Sequence, residues 1–170
     1  MANLLGKLFA KTAPKVNSLK EMKDILILED DRFNQERMIK QIPAGLTYFL
    51  ASDGQEFEMF FEEDNKARIY FLDNQVPDIL GNKGFHFLKH CNYLLKHDPN
   101  AIVFYHGSVS WDRDIIDYCE EHGVKMINRE YPWFRLAIKN GLKDYLKRNS
   151  KDVSKEDSER ISRAIEEIKE

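Results

Sequence analysis

The 170-residue chain is 42% hydrophobic and 32% charged, which is enough apolar content for one domain with its own core and tails. Its net charge of −3 argues against a nucleic-acid partner bound through phosphate contacts. Cys91 and Cys119 have no metal-ligand spacing and fall in apolar helical patterns, so they read as buried free thiols in a reducing compartment.

Residues 1–22 read as an N-terminal extension. Leu4, Leu5, Leu8 and Phe9 would share one face of a helix, with Lys7 and Lys11 elsewhere, and Pro14 ends it. Such a helix could anchor to a membrane or a partner. The plainer readings are a helix packed on its own domain, or a disordered leader. Lys7 interrupts the apolar run that a secretory signal or a membrane span requires, so a membrane partner is not expected and the expected location is the cytoplasm.

The body of the chain alternates strand and helix. Asp24 to Asp31 is a continuous apolar run that ends in Glu29, Asp30 and Asp31. Arg32 to Gln41 follows as a helix with Phe33, Met38 and Ile39 as its apolar positions, and Pro43 lies beyond its end. Leu46 to Ala51 is the second strand, and Gln55 to Glu63 a helix with Phe57, Phe60 and Phe61 inward. Ile69 to Leu72 is a short β-favouring run of the kind buried on both faces in mid-sheet, and Asp73 stands at its end.

A loop with two glycines, Pro77 to Gly84, leads to a helix over Phe85 to His97 with Phe85, Leu88, Leu94 and Leu95 at helical spacing. His86 and His90 stand four apart there, as a metal pair or as two exposed histidines. Ala101 to Tyr105 is the fourth strand, Asp112 to His122 a helix closed by Gly123, and Val124 to Ile127 the fifth strand. Trp133 to Arg148 is a long helix, with Pro132 suited to its first turn. Residues 149–170 form a charged C-terminal helix with a thin stripe of Ile161, Ala164, Ile165 and Ile168, either docked on the domain or used for self-association.

This order predicts a doubly wound five-stranded parallel sheet with right-handed crossovers, an α/β fold with helical extensions at both ends. Chemistry in such sheets collects outside the carboxyl ends of the strands, where Asp73 and the Glu29–Asp31 cluster would meet. Carboxylates that share a site repel each other unless a cation sits among them. All-oxygen donors favour a hard ion, and Mg²⁺ needs only one or two carboxylates, waters and a phosphate oxygen. One carboxylate would remain free to act as a nucleophile toward phosphorus.

Three stretches, Ile25-Leu-Ile-Leu-Glu-Asp-Asp31, Ala51-Ser-Asp-Gly-Gln-Glu56 and Phe71-Leu-Asp-Asn-Gln-Val-Pro77, carry a family resemblance. Over residues 23–148 the sequence resembles the receiver domain of bacterial response regulators, in its stand-alone, chemotaxis-regulator-like form. The resemblance implies a flavodoxin-like sheet of order 2-1-3-4-5. It implies Asp73 as phosphoacceptor from a sensor histidine kinase or phosphotransfer protein. It also implies Mg²⁺ held by Asp30 and Asp73, by Glu29 through water, and by the backbone carbonyl of Gln75. Output would run through protein–protein contacts with a downstream protein that the sequence does not name. A homodimer through the C-terminal helix, or through the fourth and fifth helices near Trp111, Tyr131 and Trp133, is a further possibility.

Three departures from the family pattern stand out. Where receivers carry Ser or Thr after the fourth strand, this chain has His106, with Ser108 two residues on. His106 reads either as a phosphate-contacting stand-in or as a filler of the pocket. Where receivers carry Lys before Pro after the fifth strand, the nearest cation is Arg129, and Arg and Lys are not interchangeable at such a site. The fifth strand also lacks the usual aromatic. The nucleophile and metal ligands survive while the phosphate sensors change, so a phosphorylation-independent pseudo-receiver is the alternative reading. A phosphatase of the haloacid dehalogenase type would need a second Asp where Gln75 stands.

Overall fold

Apolar runs without polar alternation need cover on both faces, and the strands of this chain receive it from two helical layers. The computed structural model describes residues 22–107, 112–127 and 133–169. In chain order these form β1 (Met22–Leu28), α1 (Arg32–Ile39), β2 (Tyr48–Ala51), α2 (Gly54–Glu62), β3 (Lys66–Leu72) and α3 (Phe87–His97). There follow β4 (Ile102–Tyr105), α4 (Arg113–His122), β5 (Lys125–Met126), α5 (Trp133–Arg148) and α6 (Lys155–Glu166). All strands pair in parallel in the order β2-β1-β3-β4-β5, as the resemblance implied.

Alternation along the strands divides the core in two. Leu26, Leu28, Tyr70, Leu72, Val103 and Tyr105 pack on one side with Phe57 and Phe60 of α2, Leu94 of α3 and Ile115 of α4. Ile25, Ile27, Ile69, Phe71 and Phe104 pack on the other with Met38 of α1 and with Phe134, Ile138 and Leu142 of α5. Gly141 lets α5 approach closely, because a Cβ there would stand 2.8 Å from the Phe104 ring.

The C-terminal segment joins this second layer. Ser154 caps α6 by accepting from the Asp157 N–H at 3.1 Å. Ile161, Ala164, Ile165 and Ile168 are all buried in the core shared with α5, each isoleucine contributing about 2 kcal/mol by its burial. The apolar stripe is thus used inside the domain rather than left for a second copy.

Charge fixes the same helix at the N-terminal edge of the sheet. Asp24 is fully buried and accepts from Arg68 (2.9 Å), from both terminal nitrogens of Arg160 (2.6 and 3.0 Å) and from the Thr47 N–H (2.7 Å). Asp157 accepts from Arg68 and Arg160, both at 2.9 Å, which holds its carboxyl below the usual carboxylate range.

Several local expectations are corrected. Phe33 points outward, 66% exposed, with the Arg37 guanidinium over its ring at 5.6 Å; on this short helix only Met38 is fully buried. The third helix begins at Phe87, because the Asn74 carbonyl accepts from the His86 N–H at 2.9 Å and keeps the preceding residues in a loop. Its inward face is Phe87, His90, Cys91 and Leu94, while Phe85 is 71% exposed. His90 is therefore buried, not exposed, against the Phe57 ring at 5.6 Å. Both cysteines are free and buried. No helix among the described residues is long and apolar enough to cross a membrane. The amphipathic reading of Leu4 to Lys11 lies outside the described residues, as do Ser108, Trp111, Arg129, Tyr131 and Pro132.

Candidate functional site at the carboxyl ends of the strands

Sheet register assembles the site. Leu28, Leu72 and Tyr105 are paired neighbours across β1, β3 and β4. The next residue on each strand continues the ladder: Glu29 N–H donates to Ala51, Asp73 N–H to Leu28 and His106 N–H to Leu72, at 3.0–3.1 Å. Glu29, Asp73 and His106 therefore stand side by side. They also share the pleat of Ile27, Phe71 and Phe104, so all three lean toward the α1 and α5 side.

Their ligand-type atoms come together. One donor atom from each of Glu29, Asp73 and His106 lies within 4.8 Å of the other two, and all three residues are buried. His106 Nδ1 stands 3.8 Å from Glu29 Oε2. Backbone groups fix the carboxylates: Asp31 N–H donates to Glu29 Oε1 at 3.0 Å, and Gln75 N–H to Asp73 Oδ2 at 3.3 Å. Below them, Glu29 and His106 line a small cavity of about 20 Å³ with Met38, Gln41, Ile127 and Phe134. Above them, an open cleft is lined by Asp30, Asp73, Gln75, Lys83 and Phe85.

The helices that frame the cleft start where their caps dictate. Asp31 caps α1 by accepting from Asn34 N–H at 2.8 Å, and Asp53 caps α2 by accepting from Glu56 N–H at 2.8 Å. Gly54 is required at the start of α2, since a Cβ there would meet Asp78, Ile79 and His90, each at 2.8 Å. Asp78 organises the loop over the cleft, accepting from the N–H groups of Leu80 and Asn82 at 2.9 Å and from Lys89 at 3.2 Å. Those donors hold its carboxyl well below the usual range, the Asn82 N–H most of all.

Asp30 behaves differently. Desolvation raises its pKa first and the charge of Asp73 second, while Lys83 pulls it down. Asp30 and Asp73 thus line one cleft together with Lys83 of the loop. Asp30 and Gln75 line the cleft; the Asp30 carboxylate stands outside the close group of three donors, whereas His106 stands inside it. Lys83 was not singled out from sequence, and Phe85 was read as an apolar position of the third helix rather than as part of a site. Both sit in an irregular loop.

No protein-family profile and no curated protein matches the sequence. Solved structures do match. A CheY-like response regulator receiver domain from Methanospirillum hungatei JF-1 superposes with a TM-score of 0.61 at 16% identity, over 78% of this chain and 100% of that one. The signal receiver domain of an HD domain-containing protein from Pseudomonas fluorescens Pf-5 gives 0.59 at 12% identity, over 78% and 100%. A structure described as adenylate cyclase from Rhodopirellula baltica gives 0.60 at 18%, over 79% and 96%. The chain has the receiver fold. Within the receiver fold, the acidic cleft lies at the carboxyl edge of β1 and β3, where such sheets carry their chemistry.

Proposed function

We propose that the chain is a response-regulator-type signalling module that accepts a phosphoryl group on Asp73. The observation that carries this reading is the place of Asp73. It is 1% exposed, ends the central strand, has one oxygen held by the Gln75 N–H, and lies between Glu29 and His106 at the floor of an open acidic cleft. A carboxylate so positioned can attack phosphorus without first being ordered.

The donor would be a phosphohistidine of a sensor histidine kinase or phosphotransfer protein. An Asp73 carboxylate oxygen forms the new O–P bond, the P–N bond breaks, and the electron pair leaves with the imidazole, which takes up a proton. Crowding between Asp30 and Asp73 supports a cation requirement, and the carboxylates of Asp30, Asp73 and Glu29 suit Mg²⁺. Such an ion, when bound, offsets the charge of the incoming phosphoryl group. Lys83 adds a second positive charge from the loop after β3, not from the segment after the fifth strand where the family places its lysine. Exposed Phe85 at the rim offers an apolar contact for the donor protein. Output would pass through protein–protein contacts from the cytoplasm.

The buried imidazole of His106, 6.5 Å from the Phe71 ring, favours the second reading, a pseudo-receiver that binds partners without phosphorylation. One experiment separates the two. Amide NMR of the wild type with Mg²⁺ and beryllofluoride, an acyl-phosphate mimic, is expected to shift Asp73, Lys83 and Gln75, with no shifts in Asp73→Asn. Identical spectra for both proteins would leave the pseudo-receiver.

A further inference from the structure

Receivers are read as oxygen-only metal sites, but the close group of donors here is two carboxylates and an imidazole. We propose that Glu29, Asp73 and His106 together bind a divalent transition metal, with His106 as a direct ligand, so that this cleft prefers an imidazole-tolerant ion to Mg²⁺. The inference rests on reading the cleft as metal-dependent, and it concerns which ion is taken and by which atoms.

Three independent features converge on it. The first is register: the residues follow Leu28, Leu72 and Tyr105 on adjacent strands and share one pleat, so the backbone itself aims them at a common point. The second is distance. Metal–ligand bonds of about 2.0–2.2 Å place opposed donors up to about 4.4 Å apart, and the three donor atoms already lie within 4.8 Å of one another. Small side-chain rotations close the difference.

The third is orientation by neighbours. Asp31 N–H engages Glu29 Oε1 and leaves Oε2 on the side of His106 Nδ1, while Gln75 N–H engages Asp73 Oδ2. Outer hydrogen bonds of this kind fix ligating carboxylates in metal sites.

Chemistry then sets the preference. Imidazole suits Zn, Cu, Fe and Ni, and affinity along the first row rises from Mn²⁺ through Co²⁺ and Ni²⁺, whereas Mg²⁺ prefers carboxylate, carbonyl and water. Only three protein donors are used, and the cleft is open above Asp73, so coordination positions face solvent and any incoming phosphoryl oxygen.

The test uses full-length, chelator-treated protein. Mn²⁺ is bound and examined by electron spin-echo spectroscopy for coupling to a directly ligated nitrogen, and Co²⁺ and Mg²⁺ affinities are measured by calorimetry. Nitrogen coupling is expected in the wild type and is expected to vanish in His106→Thr and in Asp73→Asn; the second loss excludes exposed His97 or His122 as the source. His106→Thr is expected to weaken Co²⁺ binding by about tenfold or more while changing Mg²⁺ affinity far less. Absence of nitrogen coupling in the wild type overturns the proposal whether or not any variant folds, and so does an unchanged Co²⁺ to Mg²⁺ affinity ratio in a folded His106→Thr. If nitrogen coupling is absent but Asp73 still takes up beryllofluoride, this inference fails and the phosphoacceptor reading stands. The converse pair of results separates them the other way.

Discussion

The two edges of the sheet gather the same kind of group and surround it differently. At the N-terminal edge, Asp24 and Asp157 meet Arg68 and Arg160, two carboxylates against two guanidiniums, with nearly every oxygen given a donor. At the carboxyl edge, the described residues place Glu29, Asp30 and Asp73 beside the His106 imidazole and Lys83 of the loop after β3. The first arrangement is closed and complete within the chain. The second opens on a cleft that something from outside can enter. A closed network at one end and an open acidic cleft at the other separate holding the fold together from meeting a ligand.

The largest effect should come from breaking the closed edge. Asp24→Ala strands Arg68, which is 5% exposed, and removes the clamp on α6. It should cost about 3–5 kcal/mol in urea unfolding, because one buried partner is removed and the other remains. A cost below 1 kcal/mol would show that the network is ornament and that apolar packing alone seats α6.

The next effect tests acid sensitivity beside the open edge. Burial first, and His86 second, pull the His90 pKa from its ordinary 6.5 down to about 4. The unfolded chain then binds a proton that the folded chain refuses, so stability falls as pH drops from 6.5 toward 4 and levels off below. The span corresponds to about 3 kcal/mol. Asp157 has the same sign over a lower range, a depressed carboxyl whose contribution is present above its ordinary 3.8 and is lost only at lower pH. His90→Leu should flatten the limb between pH 6.5 and 4 and leave the lower one intact, as read by thermal melts across pH.

Ligand dependence should separate the edges directly. A metal at a hundred times its dissociation constant stabilises a folded protein by about 2.7 kcal/mol. That gain should appear in the wild type, persist as a difference between loaded and metal-free protein in Asp24→Ala, and disappear in Asp73→Asn. A gain retained by Asp73→Asn would move the metal away from the central strand.

Pattern alone reached the five-stranded parallel sheet, because continuous apolar runs such as Ile25–Leu28 and Ile69–Leu72 suit strands covered on both faces in an alternating βα chain, while the strand order came from the family resemblance. It also placed Glu29 and Asp73 at neighbouring strand ends, where the structure has them. It missed what depends on three-dimensional partners. Arg68 lies just before the apolar run Ile69–Leu72, and nothing linear joins it to Asp24, 44 positions earlier, or to Asp157, 89 positions later. His106 was noticed as a departure, but its closeness to Glu29 comes from the lateral register of β1, β3 and β4. Phe85 was assigned inward by spacing that ignored the turn around Asp78, whose bonds to Leu80 and Asn82 end the loop before the helix can begin. Lys83 gave no periodic signal at all.

That lysine gives the smallest and most selective test. Lys83 lies in an exposed loop, so Lys83→Ala should change unfolding free energy by no more than about 0.5 kcal/mol. Its charge nevertheless lowers the pKa of Asp30 against the raising effects of desolvation and Asp73. Removing it takes away an interaction that favours the carboxylate, so the Asp30 titration followed by carboxyl NMR should move further up. Asp24→Ala, at the far edge, should leave that titration where it was. If Lys83→Ala instead destabilised the fold as Asp24→Ala does, the cleft would be a second structural network, and its excess of carboxylates would call for no ligand. A shift in Asp30 without a loss of stability means that the charge on this loop acts on the site and on little else, which is the behaviour expected of a group kept to meet an incoming anion.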